Sequence, residues 1–124
     1  MKKGYRDLRV WQESVDLVSA IYVATDAFPT DERFCLRSQM RSAAISIPSN
    51  IAEGQGRVTP GEWLQFLGHA RGSLFELETQ LTIAERLKMA SQTEVQSLLI
   101  RTASIARGLA GLIAYVRTAA RRRP

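Results

Sequence analysis

The chain of 124 residues contains one cysteine, Cys35, and one histidine, His69. A single cysteine excludes an internal disulfide. A single histidine excludes any site needing two imidazoles from one chain, including the paired Glu-x-x-His di-iron centre of helical bundles. Four prolines and eight glycines supply too little punctuation for the many tight turns of an all-β fold. No stretch approaches the ~18 apolar residues expected of a membrane span. Lys2 and Lys3 lead into Gly-Tyr-Arg-Asp and not into an apolar run, so no signal peptide is expected. These absences predict a reduced, soluble, cytoplasmic protein with no membrane partner.

What is present describes one domain, 1–124, with 45% hydrophobic and 23% charged residues, an ordinary globular balance. The net charge of +5 is unevenly placed. Residues 1–94 carry eleven Lys/Arg against twelve Asp/Glu, whereas residues 95–124 carry six arginines and no acid. All of the excess charge therefore lies in the last thirty residues, which points to a local anion-binding surface. Arginine supplies fourteen of the seventeen basic residues, and its fork suits bidentate contact with phosphate or carboxylate.

Apolar spacing predicts four helices, at about residues 7–28, 31–54, 60–89 and 92–120, with a basic tail at 121–124. In helix one Leu8, Trp11, Val15, Val18 and Tyr22 form the predicted core stripe, and Phe28-Pro29 ends the helix. Helix two carries Leu36, Met40, Ala44, Ile47 and Ile51 on its inner face, with a kink or break expected at Pro48. Helix three opens with Thr59, Pro60 and Glu62, the pattern of a capping box with proline at the first helical position. Its core stripe, Trp63, Leu67, Ala70, Leu74, Leu77, Leu81 and Ala84, alternates spacings of four and three, the seam of a left-handed bundle. Ser91 and Glu94 form a second capping box before the stripe Val95, Leu98, Thr102, Ile105, Leu109, Leu112 and Val116. Short connections make sequential helices antiparallel. The fold expected is an all-α, up-down-up-down antiparallel four-helix bundle, with helix two kinked at Pro48.

Two helices carry more apolar surface than one face requires. Val10, Leu17, Ile21 and Phe28 cluster roughly 180 to 220° from Leu8. They read either as part of a wide core stripe or as a subunit contact. On helix three Leu64, Gly68 and Phe75 lie roughly 100 to 140° from Trp63. These residues are interface candidates for a homo-oligomer, with Gly68 and Gly72 allowing close backbone approach.

Catalytic constellations are absent from the sequence, and neither a cofactor nor a metal is expected. His69 has only Glu62 and Glu76 one heptad away and reads as a surface or interface histidine. Cys35 reads as a small core residue with no base beside it. The glycines follow neither the phosphate-loop nor the dinucleotide pattern. The arginines carry the remaining signal. Arg33, Arg37 and Arg41 recur every four residues, Arg57 and Arg71 lie at and beyond the helix two–three junction, and Arg107, Arg117 and Arg121 flank the helix-four stripe before Arg122 and Arg123. Such ridges suit a nucleic-acid backbone, and they equally suit a solvated face paired with acids on helices one and three. Few aromatics are available for base stacking, which favours recognition of structured RNA by shape and backbone.

At the helix two–three junction the sequence runs Arg41-Ser-Ala-Ala-Ile-Ser46-Ile-Pro48-Ser-Asn50-Ile-Ala-Glu53-Gly54, followed by Gly56-Arg57. Ala70-Arg71-Gly72-Ser73 and Glu76-Leu77-Glu78-Thr79 follow further on. With Asp7-Leu8, Val10-Trp11 and Phe28-Pro29, these residues resemble the four-helix bundle proteins of the 23S rRNA intervening-sequence family over roughly residues 5 to 118. The resemblance implies a ring-like homopentamer, and kinship with the accessory variability protein of diversity-generating retroelements, which binds nucleic acid and a reverse transcriptase. It implies no defined activity. The chain departs from the family's pattern at Ser42, where a second arginine is common, and at Cys35, where glycine is favoured. Within the signature, Ser46, Pro48, Asn50, Glu53, Gly54, Gly72, Ser73 and Glu76 are expected to be mainly structural. Ser46, Ser49 and Asn50 would satisfy backbone groups freed by Pro48, and Glu53 would pair with Arg57 or Arg71. The function expected is a non-enzymatic oligomer that binds structured RNA through Arg37, Arg41, Arg57, Arg71, Arg107, Arg117, Arg121, Arg122 and Arg123. The alternative is a protein-interaction scaffold whose basic surface docks an acidic partner such as a polymerase or reverse transcriptase.

Overall fold

The computed structural model describes residues 4–29 and 35–122. A 3-10 turn at Tyr5–Asp7 precedes four helices: α1 (Arg9–Asp26), α2 (Leu36–Gln55), α3 (Pro60–Arg86) and α4 (Gln92–Arg121). The predicted start of helix two at residue 31, with Arg33, and the end of the tail, with Arg123, lie outside the described residues. Successive helices pack side by side and α1 closes against α4. Cross-helix contacts fix the directions. Ser73 meets Ser46 while Trp63 meets Gly54, and Val10 meets Gly108 while Glu13 meets Ser104, so both seams run antiparallel.

The helix starts follow the capping chemistry, with one difference. At α4 the Ser91 hydroxyl accepts from the Glu94 amide and the Glu94 carboxylate accepts from the Ser91 amide, a complete box. At α3 only half forms: Thr59 Oγ1 accepts from the Glu62 amide at 3.2 Å but donates its own proton to Glu62 Oε1. The carboxylate thus serves the hydroxyl instead of the Thr59 amide. The α3 C-terminus closes with Lys88 N–H on Glu85 O and Met89 N–H on Ala84 O. That pair of bonds is a Schellman motif, and it puts Lys88 at φ 61°.

Three of the four predicted core stripes hold with small changes. On α2, Met40, Ala44, Ile47 and Ile51 are buried and Leu36 half-buried; on α3, every stripe residue is buried except half-buried Trp63. On α4 Ile113 replaces Leu112 as the buried residue. Helix α1 is the correction. Its core face is Val10, Ser14, Leu17, Ile21 and Thr25, followed by Phe28 just past the helix, whereas Val15 and Tyr22 are exposed. The two polar residues hid this face. Ser14 and Thr25 bury their hydroxyls by donating to the Val10 and Ile21 carbonyls one turn back, at 2.6 and 2.7 Å, so neither leaves a polar group unsatisfied. Val10 also needs a bare partner. A Cβ on Gly108 would stand 3.0 Å from the Val10 side chain.

Pro48 lies buried inside α2 and the helix continues through it, so the break allowed by the sequence does not occur. One further expectation fails on α4. An 18-residue window of this helix reaches a mean hydropathy of 1.3, so by length and composition alone it is long and apolar enough to cross a membrane. In the bundle the Val95–Val116 stripe packs against the neighbouring helices, while 28% of that window is buried.

Candidate nucleic-acid interface

The predicted arginines divide into two groups. Arg37 and Arg41 point at the end of α1. Arg37 Nη2 donates to Phe28 O at 2.8 Å, and its Nε lies buried without a partner. Arg41 donates to Thr25 Oγ1, to Tyr22 O and, at 2.8 Å, to Asp26 Oδ1, while its guanidinium stacks 4.2 Å from the Tyr22 ring centroid. Free carbonyls at a helix C-terminus attract cations, so these two arginines close α1 against α2. Arg41 and the Arg37 Nη2 are held by these groups and both side chains are only half-exposed, so the ridge at this end of α2 is not an open phosphate site.

The second group is free. Arg71, Arg107, Arg117, Arg121 and Arg122 are exposed, and none of their side chains makes an ion pair or hydrogen bond among the described residues. Arg57 lies over the Phe66 ring at 4.4 Å and is otherwise open. The position of the group follows from helix geometry. Thr102 of α4 donates to Glu78 of α3 at 2.8 Å, marking the faces that meet. At about 100° per residue, Arg71 is about 20° from Glu78 on α3, and Arg117 is about 60° from Thr102 on α4. Arg107 and Arg121 lie farther outward, and the run from Arg107 to Arg121 covers about 21 Å of axis. Of the acids of α3, Glu62 and Glu76 lie towards the α2 side, whereas Glu78 and Glu85 lie on the α4-facing side, where Glu78 accepts from Thr102 and neither forms an ion pair with these arginines among the described residues. Arg123 continues the sequence outside the described residues.

The signature residues serve the α2–α3 contact. Ser46 Oγ accepts from Ser73 Oγ at 2.8 Å and from Asn50 Nδ2 at 2.9 Å, and Asn50 Nδ2 also donates to Ser46 O. The expected repair of the carbonyl freed by Pro48 is therefore not what Asn50 does, and Ser49 is exposed. Gly54 is required by packing: a Cβ there would come within 2.9 Å of Trp63 Cδ1 and 3.0 Å of Phe66 Cβ. Glu53 is exposed and forms neither expected pair; the ion pairs among the described residues are Arg41–Asp26 and a longer Arg9–Glu13 contact. Glu76 is exposed, with only a 3.5 Å contact from Gln80 Nε2. Cys35 is exposed, contrary to expectation. His69 is exposed beside Phe66, and among the described residues no three His, Cys, Asp or Glu side chains gather to hold a metal.

A model of 23S rRNA-intervening sequence proteins matches residues 6–111. The chain belongs to that family. Among solved structures, this family member is similar to a protein of unknown function from the S23 ribosomal protein family of Bacteroides thetaiotaomicron, at a TM-score of 0.76 and 20% identity, covering 84% of this chain and 97% of the other. That likeness speaks for the shared fold. A comparison with curated proteins gives no match. Neither the family description nor the neighbour's names an enzymatic activity.

Of the interface candidates, Gly68 and Phe75 are exposed, Phe75 at 53%, while Leu64 is half-buried against the core. The sequence reading missed how far this line extends. Gly61, Leu64, Gly68, Gly72, Phe75, Thr79 and Thr82 all lie within about 40° of the direction opposite Leu77, an uncharged stretch that ends at the exposed Arg86 on the same line. It also missed Tyr115, 65% exposed on α4. Tyr115 falls off the α4 core stripe, which was the available signal.

Proposed function

We propose that this family member is a non-enzymatic homo-oligomer that binds structured RNA along the outer side of the α3–α4 seam. The contacts are made by Arg71, Arg107, Arg117 and Arg121, while Arg122 stands at the helix end on the side of α4 turned away from α3. The observation that carries this reading is that these exposed guanidinium groups have no acidic partner among the described residues, while Arg37 and Arg41 are held against the end of α1. A surface of unpaired arginines gains most from a polyanion, because each neutralised phosphate releases condensed counterions. The uncharged outer line of α3 supports self-association, and the family resemblance makes five the subunit number to test. Repetition of the surface around a ring turns modest contacts into avidity.

The test is a salt titration of purified protein, of known oligomeric mass, against a labelled RNA hairpin with an acidic protein as competitor. Arg117→Ala/Arg121→Ala is expected to weaken binding and to reduce the slope of log affinity against log salt by about two, with helicity and oligomeric mass unchanged. Equal affinity in the double variant would remove this surface from consideration. Binding that the acidic protein abolishes would favour docking of an acidic protein partner, such as a polymerase or reverse transcriptase.

A further inference from the structure

Helix α4 outruns its neighbour. Val10, in the first turn of α1, packs on Gly108, and beyond that level α4 continues to Arg121. Tyr115 is seven residues after Gly108, so it points along the same side of α4, where the α1–α4 seam has run out. The result is an open hollow lined by Gly111, Ala114, Tyr115, Thr118, Ala119 and Arg122. Among the described residues nothing lies within 4 Å of the place where a Gly111 Cβ would sit. Ala114 and Ala119 keep the floor low, and Thr118 directs its hydroxyl back to Ala114 O. A tyrosine 65% exposed thus stands beside space on its own helix, with an arginine at the far wall and no acid in the lining.

We infer that this hollow takes one unpaired nucleobase, stacked on Tyr115, with a neighbouring phosphate on the Arg122 guanidinium. Every base presents a π-face, so an exposed aromatic beside a cation is the recurring solution for holding a single strand without reading its sequence. The charge argues for this occupant. Residues 95–124 contain six arginines and no acid, so an anionic strand meets no acid of α4 beyond Glu94 in its first turn. The small side chains leave the ring accessible to a flat partner. The site lies on the side of α4 facing away from the α3 seam, so a looped or bulged strand extends the contact around the helix end. This inference rests on the RNA-binding reading and names the unpaired part of the RNA as the ligand for this second face.

The probe is a short single-stranded RNA carrying one 2-aminopurine, whose fluorescence falls on stacking, compared with the same strand made abasic at that position. Wild-type protein is expected to quench the fluorophore and to bind the intact strand more tightly than the abasic one. Tyr115→Ala is expected to abolish quenching, lose about fivefold or more in affinity and keep the salt slope. Tyr115→Phe is expected to retain both quenching and affinity. Arg122→Ala is expected to lower the salt slope by about one. Circular dichroism and light scattering confirm that fold and mass are kept. If Tyr115→Ala binds and quenches like the wild type while the hairpin is still bound, the stacking site is wrong and the arginine surface stands. If the wild type binds neither RNA at low salt, the RNA reading fails, and this inference with it.

Discussion

Arg41 and Arg117 are the same residue on the same bundle with opposite fates, and position alone separates them. Arg41 faces the last turn of α1, where unpaired carbonyls and Asp26 absorb its donors, whereas Arg117 is exposed on α4, which carries no acid beyond Glu94 in its first turn. A residue count of arginines therefore overstates the binding surface. Lys88 makes a second point at this scale. It occupies the left-handed position of the α3 Schellman motif at φ 61°, where a β-carbon costs roughly 1–2 kcal/mol and glycine costs far less. Both bonds come from main-chain amides, those of residues 88 and 89, so a glycine at 88 keeps them. Lys88→Gly is expected to raise the unfolding free energy by about 1 kcal/mol, read from a higher urea midpoint at unchanged m-value. A lower midpoint would mean that the lysine side chain holds the turn in another way.

At the scale of the element, α2, α3 and α4 were legible because their core stripes are almost wholly apolar, and α3 and α4 open at the caps that spacing predicts. Thr102, the polar member of the α4 stripe, was read correctly because apolar residues flank it on the same face. Helix α1 was not legible in the same way. It has two apolar faces, and the longer run of large residues, Leu8 to Tyr22, lost to a face containing Ser14 and Thr25. Periodicity treats a serine as a vote for solvent, yet a serine bonded to its own helix is a small, satisfied core residue. The fit of Val10 against Gly108 is a tertiary fact that no spacing within α1 contains. The free arginines of the candidate interface were legible as charge, but the commitment of Arg37 and Arg41 depended on where α1 ends against α2. The assignment of the α1 face has a direct check. Leu17→Ala is expected to cost about 2–5 kcal/mol, and Val15→Ala less than about 1 kcal/mol, by denaturant unfolding of each variant. The reverse order would restore the Leu8–Tyr22 face to the core.

For the whole molecule, the outer face of α3 poses a question that a lone bundle does not answer. Gly68 and Gly72 lie inside the helix with nothing within 4 Å of where a Cβ would be, and each costs about 1 kcal/mol relative to alanine in such a position. Neither spares a clash, caps an end or adopts a positive φ. Within the bundle alone, the two glycines are simply destabilising, and the exposed Phe75 ring one turn on is simply wet. Contact with another subunit gives both features a physical reason, since missing side chains let backbones approach and the ring gains a surface to cover it. The two situations predict opposite signs for the same variant. If α3 is solvated, Gly68→Ala/Gly72→Ala raises stability by about 2 kcal/mol and leaves the mass in solution untouched. If α3 carries the subunit contact, as proposed, the added methyl groups hold the backbones apart. Light scattering across a dilution series is then expected to show dissociation at concentrations where the wild type remains assembled, with Phe75→Glu doing the same more completely. Stability and mass must be measured together, because an assembled protein loses apparent stability as its subunits separate. A rise in melting temperature at constant mass would therefore place the contact on some other face of the bundle.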